Sequence, residues 1–411
     1  MRLIGAASLV FTLVLSYSVS GFSRTDNAPP VDRLSGTTAE QPLGQNIFRF
    51  DTSGDEQLWT GVYKMHEVLP TVDPTTALSV GLKVDVDALP LELVEALEDG
   101  LVDLTDPAVT VTLLQLNAVV GIRGKFNEAD QLTSVGITCA LCHSSVDNSL
   151  TAGIGHRLDG WANIDLNVGA IVALSPVLDD ATKAVLNSWG PGKYDPRLQA
   201  FDGTNIISLN KKSVPIVIPP VYGLQGVGFE TFTGDGPISY WNSYVGVGQM
   251  GGHGSFSDPR INLFITQTPD LVTPKLPALL AYQLSLLKPL PPVDSFNRPA
   301  ARRGQALFNN AAGCATCHQG PTYTDVLSGP NPDVPFLHKP SEVGQDPEYA
   351  KRSATGKYRT TPLRALWQHP PYFHDGSAAD LLAVVEHYDK RFHLGLTAEE
   401  KADLVEFLKS L

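Results

Sequence analysis

Cys139-Ala-Leu-Cys142-His143 and Cys314-Ala-Thr-Cys317-His318 are the two stretches on which the reading of this chain turns. Both are Cys-x-x-Cys-His, and together they use every cysteine in the 411 residues. Two thiols one helical turn apart can form thioethers with the two vinyl groups of a haem, and the adjacent histidine reaches the iron, so the pattern reads as c-type haem attachment. Cys-x-x-Cys alone also suits a redox disulfide or half of a zinc site. Two matches, each followed by histidine and with no cysteine to spare, favour two covalently attached haems. Cys139, Cys142, Cys314 and Cys317 are then the attachment points, with His143 and His318 as proximal iron ligands.

The surroundings agree with export, the condition under which c-type haem is attached. Residues 1–21 begin with Arg2, continue through Leu3, Ile4, Leu9, Val10, Phe11, Leu13, Val14 and Leu15, and end in Ser18, Ser20 and Gly21. This is the order of a secretory signal peptide, with an uncleaved anchor as the alternative. Its removal takes away one positive charge, so a formal net charge of −13 becomes −14. Residues 22–45, rich in Pro, Ser, Thr, Asn and Gln, read as a flexible leader. No later apolar run is long enough to span a membrane, so a periplasmic or otherwise exported protein is expected. The acidic balance excludes a general nucleic-acid binder, which needs clustered basic residues. A composition 43% apolar and 18% charged excludes a disordered tail or a coiled coil.

The two motifs lie too far apart for one small cytochrome fold. The expected architecture is mainly α, with two class I cytochrome c-like haem domains, long loops and an N-terminal extension. The boundaries are 46–294 for an N-terminal haem domain with insertions and 295–411 for a C-terminal one, joined at the Pro-rich seam Lys288-Pro-Leu-Pro-Pro-Val-Asp. Helical periodicity runs over Leu91 to Leu101, Val109 to Val120 and Pro277 to Leu287. A Thr397-x-x-Glu400 capping signature opens a terminal helix, and Arg302 to Gly313 reads as a short helix leading into the second motif. Val214 to Gly254, full of Gly and Pro, is expected to form loops and short strands lining the space between the domains.

Arg303-Gly-Gln-Ala-Leu-Phe, Cys314-Ala-Thr-Cys-His-Gln-Gly-Pro, Tyr358-Arg-Thr-Thr-Pro-Leu-Arg, Pro371-Tyr-Phe-His-Asp-Gly-Ser and Leu382-Ala-Val-Val-Glu-His-Tyr follow one another through the last 110 or so residues. Together they resemble the bacterial di-haem cytochrome c peroxidases and their relative that matures the tryptophylquinone of methylamine dehydrogenase. The N-terminal part is similar only in fragments. The resemblance implies a distal ligand for the second haem, usually methionine. After Met1 the chain keeps only Met65 and Met250, and Tyr388 falls at that position, as in the tryptophylquinone-maturing relative. Phenolate ligation favours ferric iron. His387, His374 and His338 are rivals, and a packed helix aromatic is the plain alternative for Tyr388.

For the first haem, Gly153-Ile-Gly-His156-Arg157 resembles the family's glycine-flanked histidine that closes the iron. His156 is therefore a candidate distal ligand and Arg157 a candidate propionate partner. Two departures stand out. The family's distal acid aligns with Gln249, which cannot act as a base, leaving His253 for that role. The family's inter-haem tryptophan is missing from Thr233-Gly-Asp235-Gly, with Trp161 or Trp241 as spatial substitutes. The resemblance also implies a calcium ion between the domains, for which no ligands can be mapped. The functional expectation is a peroxidase-like oxidoreductase with a reactive N-terminal haem and an electron-relaying C-terminal haem. It would take peroxide or another small oxidant and a small cytochrome or cupredoxin as redox partner. An electron-transfer cytochrome comes second and a di-haem oxygenase third.

Overall fold

The computed structural model describes residues 40–411, so the expected signal peptide and residues 22–39 of the leader lie outside the described residues. Helices carry the cores, while the strands pair only two by two in six separate ladders among the described residues. The mainly α expectation therefore stands at the level of fold class.

In the last third of the chain, helix Arg298–Asn309 is capped by the Asn297 side chain, which accepts from the Ala300 amide. It begins four residues before the expected Arg302, because Pro299 sits comfortably in a first turn whose amides need no helical partner. Helix Ala398–Lys409 opens with the Thr397/Glu400 capping box, as the sequence signature predicts. These two helices cross where Gly304 faces Asp403, and any Cβ at Gly304 would run into the Asp403 carbonyl. Phe308 and Phe407 meet edge to face beside the crossing, at 5.1 Å between centroids. Arg303 clamps the Asp403 carboxylate with two nitrogens. A cluster built from Phe308, Leu366, Leu381, Val385, Leu404, Phe407, Leu408 and Leu411 fills the space beneath.

The larger N-terminal part holds three clusters of buried apolar residues. Residues Gln41 to Gln45, expected within the leader, belong instead to helix Gln41–Phe50. It packs on helix Leu276–Ser285, where Gly44 lies against the Ala278 carbonyl and Phe48 meets Tyr282. A composition poor in strong helix formers is overridden here by the buried contact. The expected helices over 91–101 and 109–120 appear as Leu91–Glu98 and Pro107–Gln115. The second stops early because Asn117 takes a left-handed conformation, after which Val119 bridges to Val84.

Val214 to Gly254 is less loop-like than its composition implies. It includes helix Ile238–Tyr244, continued by a wider π-helical turn over Val245–Gln249. Tyr240, Trp241, Tyr244 and Phe256 bury their rings together, and that packing outweighs the weak local helix preference. The same segment also packs on the C-terminal part of the chain. Ile216 packs with Tyr349 and Tyr358, and Val227 and Phe229 pack with Val326.

Gly304 is the tightest test of the C-terminal crossing. Gly304→Val should destabilise the protein by about 1–3 kcal/mol through overpacking, measured as a lower denaturation midpoint. An unchanged midpoint would show that the helices can part without loss.

Candidate haem-binding sites

A hairpin of Ile122–Phe126 and Leu132–Ile137 leads directly into Thr138 and the first Cys-x-x-Cys-His. Gly121, at positive φ, lets the hairpin base approach Leu141 closer than any side chain would permit. Cys139 and the short helix Ala140–His143 are thereby held against the core. The second motif follows helix Arg298–Asn309 as a single turn over Cys314–Thr316.

All four cysteines are free of disulfides. Burial pushes the thiols of Cys139 and Cys142 up to about 12 and that of Cys314 up to about 11. A reactive thiolate pair needs the opposite shift.

Each cysteine pair and its histidine line a large cavity. The N-terminal cavity, about 200 Å³, also meets Trp59, Tyr63, Tyr194, Trp241, Gln249 and Met250. The C-terminal cavity, about 530 Å³, also meets His338, His369, His374 and Tyr388. Both histidines are prepared in the same way. His143 Nδ1 lies 3.0 Å from the Pro219 carbonyl, and His318 Nδ1 lies 2.9 Å from the Tyr323 carbonyl. A carbonyl can only accept, so Nδ1 carries the proton and Nε2 keeps its lone pair. Burial pushes His143 down to about 4 and lowers His318, so both rings stay neutral. A neutral imidazole with its Nδ1–H tied to a carbonyl is the standard preparation of a metal ligand. The residues present therefore fit a haem beside each cysteine pair, which His143 and His318 would hold by their free Nε2.

Tyr388, from helix Leu381–Phe392, lines the C-terminal cavity. Burial and the neighbouring Cys317 and Cys314 hold its hydroxyl at about 12. Its rivals are engaged elsewhere. His387 lies 2.9 Å from the Val343 carbonyl and does not line the cavity. His374 Nε2 meets the Tyr358 hydroxyl at 3.0 Å. His338 has Nε2 3.0 Å from Asp325 and Nδ1 3.5 Å from Glu342. His369, which sequence reasoning passed over, also lines this cavity, and burial pushes it down to about 4.

The N-terminal side differs from expectation. His156 is an exposed side chain bound to Asp87 at 2.9 Å and does not line the cavity. Arg157 is likewise outside it, paired with buried Asp85 at 2.9 Å. Asp85 and Asp87 are thus engaged by side chains from the very segment that was expected to face the haem. His253 hydrogen-bonds to the Pro269 carbonyl at 2.7 Å and is also absent from the cavity wall.

Gln249 is in the wall, delivered there by the π-helical turn. Its Oε1 accepts from Tyr194 Oη at 2.6 Å and its Nε2 donates to the Gln199 carbonyl at 3.0 Å. Tyr194 and Tyr63 are missed by sequence reasoning because they arrive from distant segments; burial raises Tyr194 well above its ordinary range and Tyr63 to about 12. Of the tryptophans, Trp241 lines the N-terminal cavity and donates its indole N–H to the Glu230 carbonyl at 3.1 Å. Trp161 stands edge-on to Trp367 at 5.8 Å.

The Asp325 carboxylate, followed by Cys317, raises His338 to about 10. A histidine raised in the folded state contributes stability that is complete below the ordinary value near 6.5 and is lost as pH rises toward 10. Denaturation midpoints should therefore fall over that interval, and Asp325→Asn should flatten the fall. A slope that survives Asp325→Asn would assign it to another group.

No known family profile matches the chain. It is 33% identical over 149 residues to a cytochrome c peroxidase of Denitromonas iodatirespirans, covering 27% of this chain and 40% of that protein. It is 35% identical over 125 residues to the methylamine utilization protein MauG of Methylorubrum extorquens, covering 27% of this chain and 34% of that protein. The chain thus spans roughly a third to two fifths of the length of these curated relatives. Among solved structures, a MauG-like protein associated with microbial copper homeostasis aligns at 19% identity with a TM-score of 0.35, over 53% of this chain and 85% of that one. Across the aligned part of its sequence, the chain is similar to cytochrome c peroxidases and to MauG.

Proposed function

We propose that this chain is an exported di-haem c-type cytochrome oxidoreductase of peroxidase type. Residues 46–294 form the part that holds a reactive haem, and residues 295–411 the part that holds an electron-relaying haem. Thioethers from the two cysteine pairs attach both groups. The observation that carries this reading is the asymmetry between two similarly prepared cavities. Each offers a neutral histidine tied to a carbonyl, but the C-terminal cavity adds His338, His369, His374 and Tyr388, while the described wall of the N-terminal one adds no second histidine. When bound, haem supplies a redox-active iron in each cavity.

The chain's own residues do the rest. The Pro219 carbonyl orients His143 and keeps its proton on Nδ1. Gln249, with both ends of its amide engaged, is a fixed wall that neither takes nor gives a proton. Tyr194, whose burial keeps it protonated, donates its one O–H to Gln249 and keeps its oxygen lone pairs free to accept. A peroxide reduced there takes two electrons and two protons and leaves as two waters. Gln249 holds the phenol in place, the Tyr194 oxygen accepts from the peroxide, and the scarcity of a proton-accepting group makes turnover slower than with a carboxylate. Peroxide as oxidant, a small cytochrome or cupredoxin as electron donor and a periplasmic setting complete the proposal. Among the described residues no helix is long and apolar enough to cross a membrane.

A second reading, a pure electron carrier, is favoured by one observation: Met250 also lines the N-terminal cavity. A thioether closing that iron would leave no open position. Low-temperature EPR of the oxidised protein separates the two. A high-spin ferric signal that cyanide removes supports the enzyme, whereas two low-spin signals indifferent to cyanide support the carrier. In the enzyme, Met250→Leu leaves the spectrum unchanged and Tyr194→Phe lowers kcat/KM for hydrogen peroxide by about tenfold, the worth of one hydrogen bond.

Tyr388→Phe should alter the absorption of one haem and leave the other as it was. An unaltered spectrum would return Tyr388 to the role of a packed helix aromatic.

A further inference from the structure

Residues 217–220, Thr231, Arg359 and Arg364 line both cavities, so they form the partition between them. Within this partition sits a charge cluster assembled across the chain. Glu230 Oε2 accepts from Arg359 Nη1 at 2.9 Å and lies 3.6 Å from Arg364 Nη2. Arg359 also donates to the Phe229 carbonyl, and Arg364 to the Gly223 carbonyl at 2.7 Å. The three side chains are only 4%, 9% and 5% exposed for Arg359, Arg364 and Glu230. Two cations therefore face one anion in a buried wall, and this imbalance is costly without a further negative group. Arg359 Nε and Glu230 Oε1 are buried with no partner among the described residues. An open guanidinium donor beside excess positive charge is a receptor for a carboxylate.

We propose that Arg359, Arg364 and Glu230 form one electrostatic bridge that receives haem propionates from both cavities and couples the two potentials. This rests on the two-haem reading above. The arginines hold the carboxylate edges of both groups, while Glu230 keeps the guanidinium planes oriented and offsets part of their charge. A fixed charge in a low-dielectric partition acts on both sides of it. Any change in the cluster must then move both irons in the same direction, because negative charge near an iron favours its ferric form. Arg157, expected from sequence to serve a propionate, is already matched to Asp85 away from the cavities.

The test is a potentiometric titration of the holoprotein, following both haems by their visible bands. Haem content from the pyridine haemochrome comes first, and fewer than two haems per chain in the unmutated protein would sink the two-haem reading itself, separately from the bridge. With two haems present, Glu230→Gln should raise both midpoint potentials and Arg359→Gln should lower both. Glu230→Gln is nearly isosteric and decides the question alone if Arg359→Gln does not fold. Movement of one potential only, or of neither, overturns the bridge.

Discussion

A single hydrogen bond, from His143 Nδ1 to the Pro219 carbonyl, connects the chemistry of this molecule to its architecture. It fixes the tautomer of the first motif's histidine and leaves Nε2 available. Pro219 is also part of the segment that closes both cavities, so the element preparing one site is a wall of the other. The strand pairing that holds this segment, Ile216–Val217 against Lys193–Tyr194, brings Tyr194 to the same place. The Val217 amide then donates to the His374 carbonyl at 2.8 Å, tying the wall to the C-terminal end of the chain. Proline at 219 and 220 suits this position, since neither residue has an amide proton to leave unpaired in an apolar partition.

The parts of the sites that were legible in the sequence are the parts encoded locally. Cys139 to His143 and Cys314 to His318 place thiols and imidazole within one turn, so spacing alone carries the chemistry. The capping box at Thr397 is equally local and starts its helix where expected. Everything opposite the histidines comes from elsewhere. Trp59, Tyr194 and Gln249 meet in one cavity from three distant segments, and no periodicity announces such a meeting. The segment Ile238–Tyr244 fails the local test for a helix and forms one because four aromatic rings bury together.

His156 and Arg157 illustrate the converse. A glycine-flanked histidine thirteen residues after His143 reads as a ligand only while the rest of the fold is unknown. Gly155 belongs to a strand paired with Val84–Asp85, and that pairing brings the acidic stretch alongside the loop. Asp87 then takes His156, and Asp85 takes Arg157. Asp85 and Asp87 thus tie this segment down outside the cavity wall.

The scarcity of methionine acquires a sharper meaning once the cavities are compared. Met65 is fixed in the N-terminal core, at 2% exposure, and can serve neither site. Met250 reaches the N-terminal cavity, which leaves the C-terminal one with tyrosine and histidines, His338 and His374 hydrogen-bonded and His369 in its wall. A phenol held near 12 by burial must lose its proton before it can bind iron as phenolate, and a ferric centre supplies that pull far better than a ferrous one. As a ligand, Tyr388 would therefore favour the oxidised iron. Positive charge from Arg359 and Arg364 in the adjoining wall acts in the opposite sense, favouring the reduced iron. On the proposed reading, the balance between a phenol on one side and a partly neutralised guanidinium pair on the other would set how readily a C-terminal haem gives up an electron.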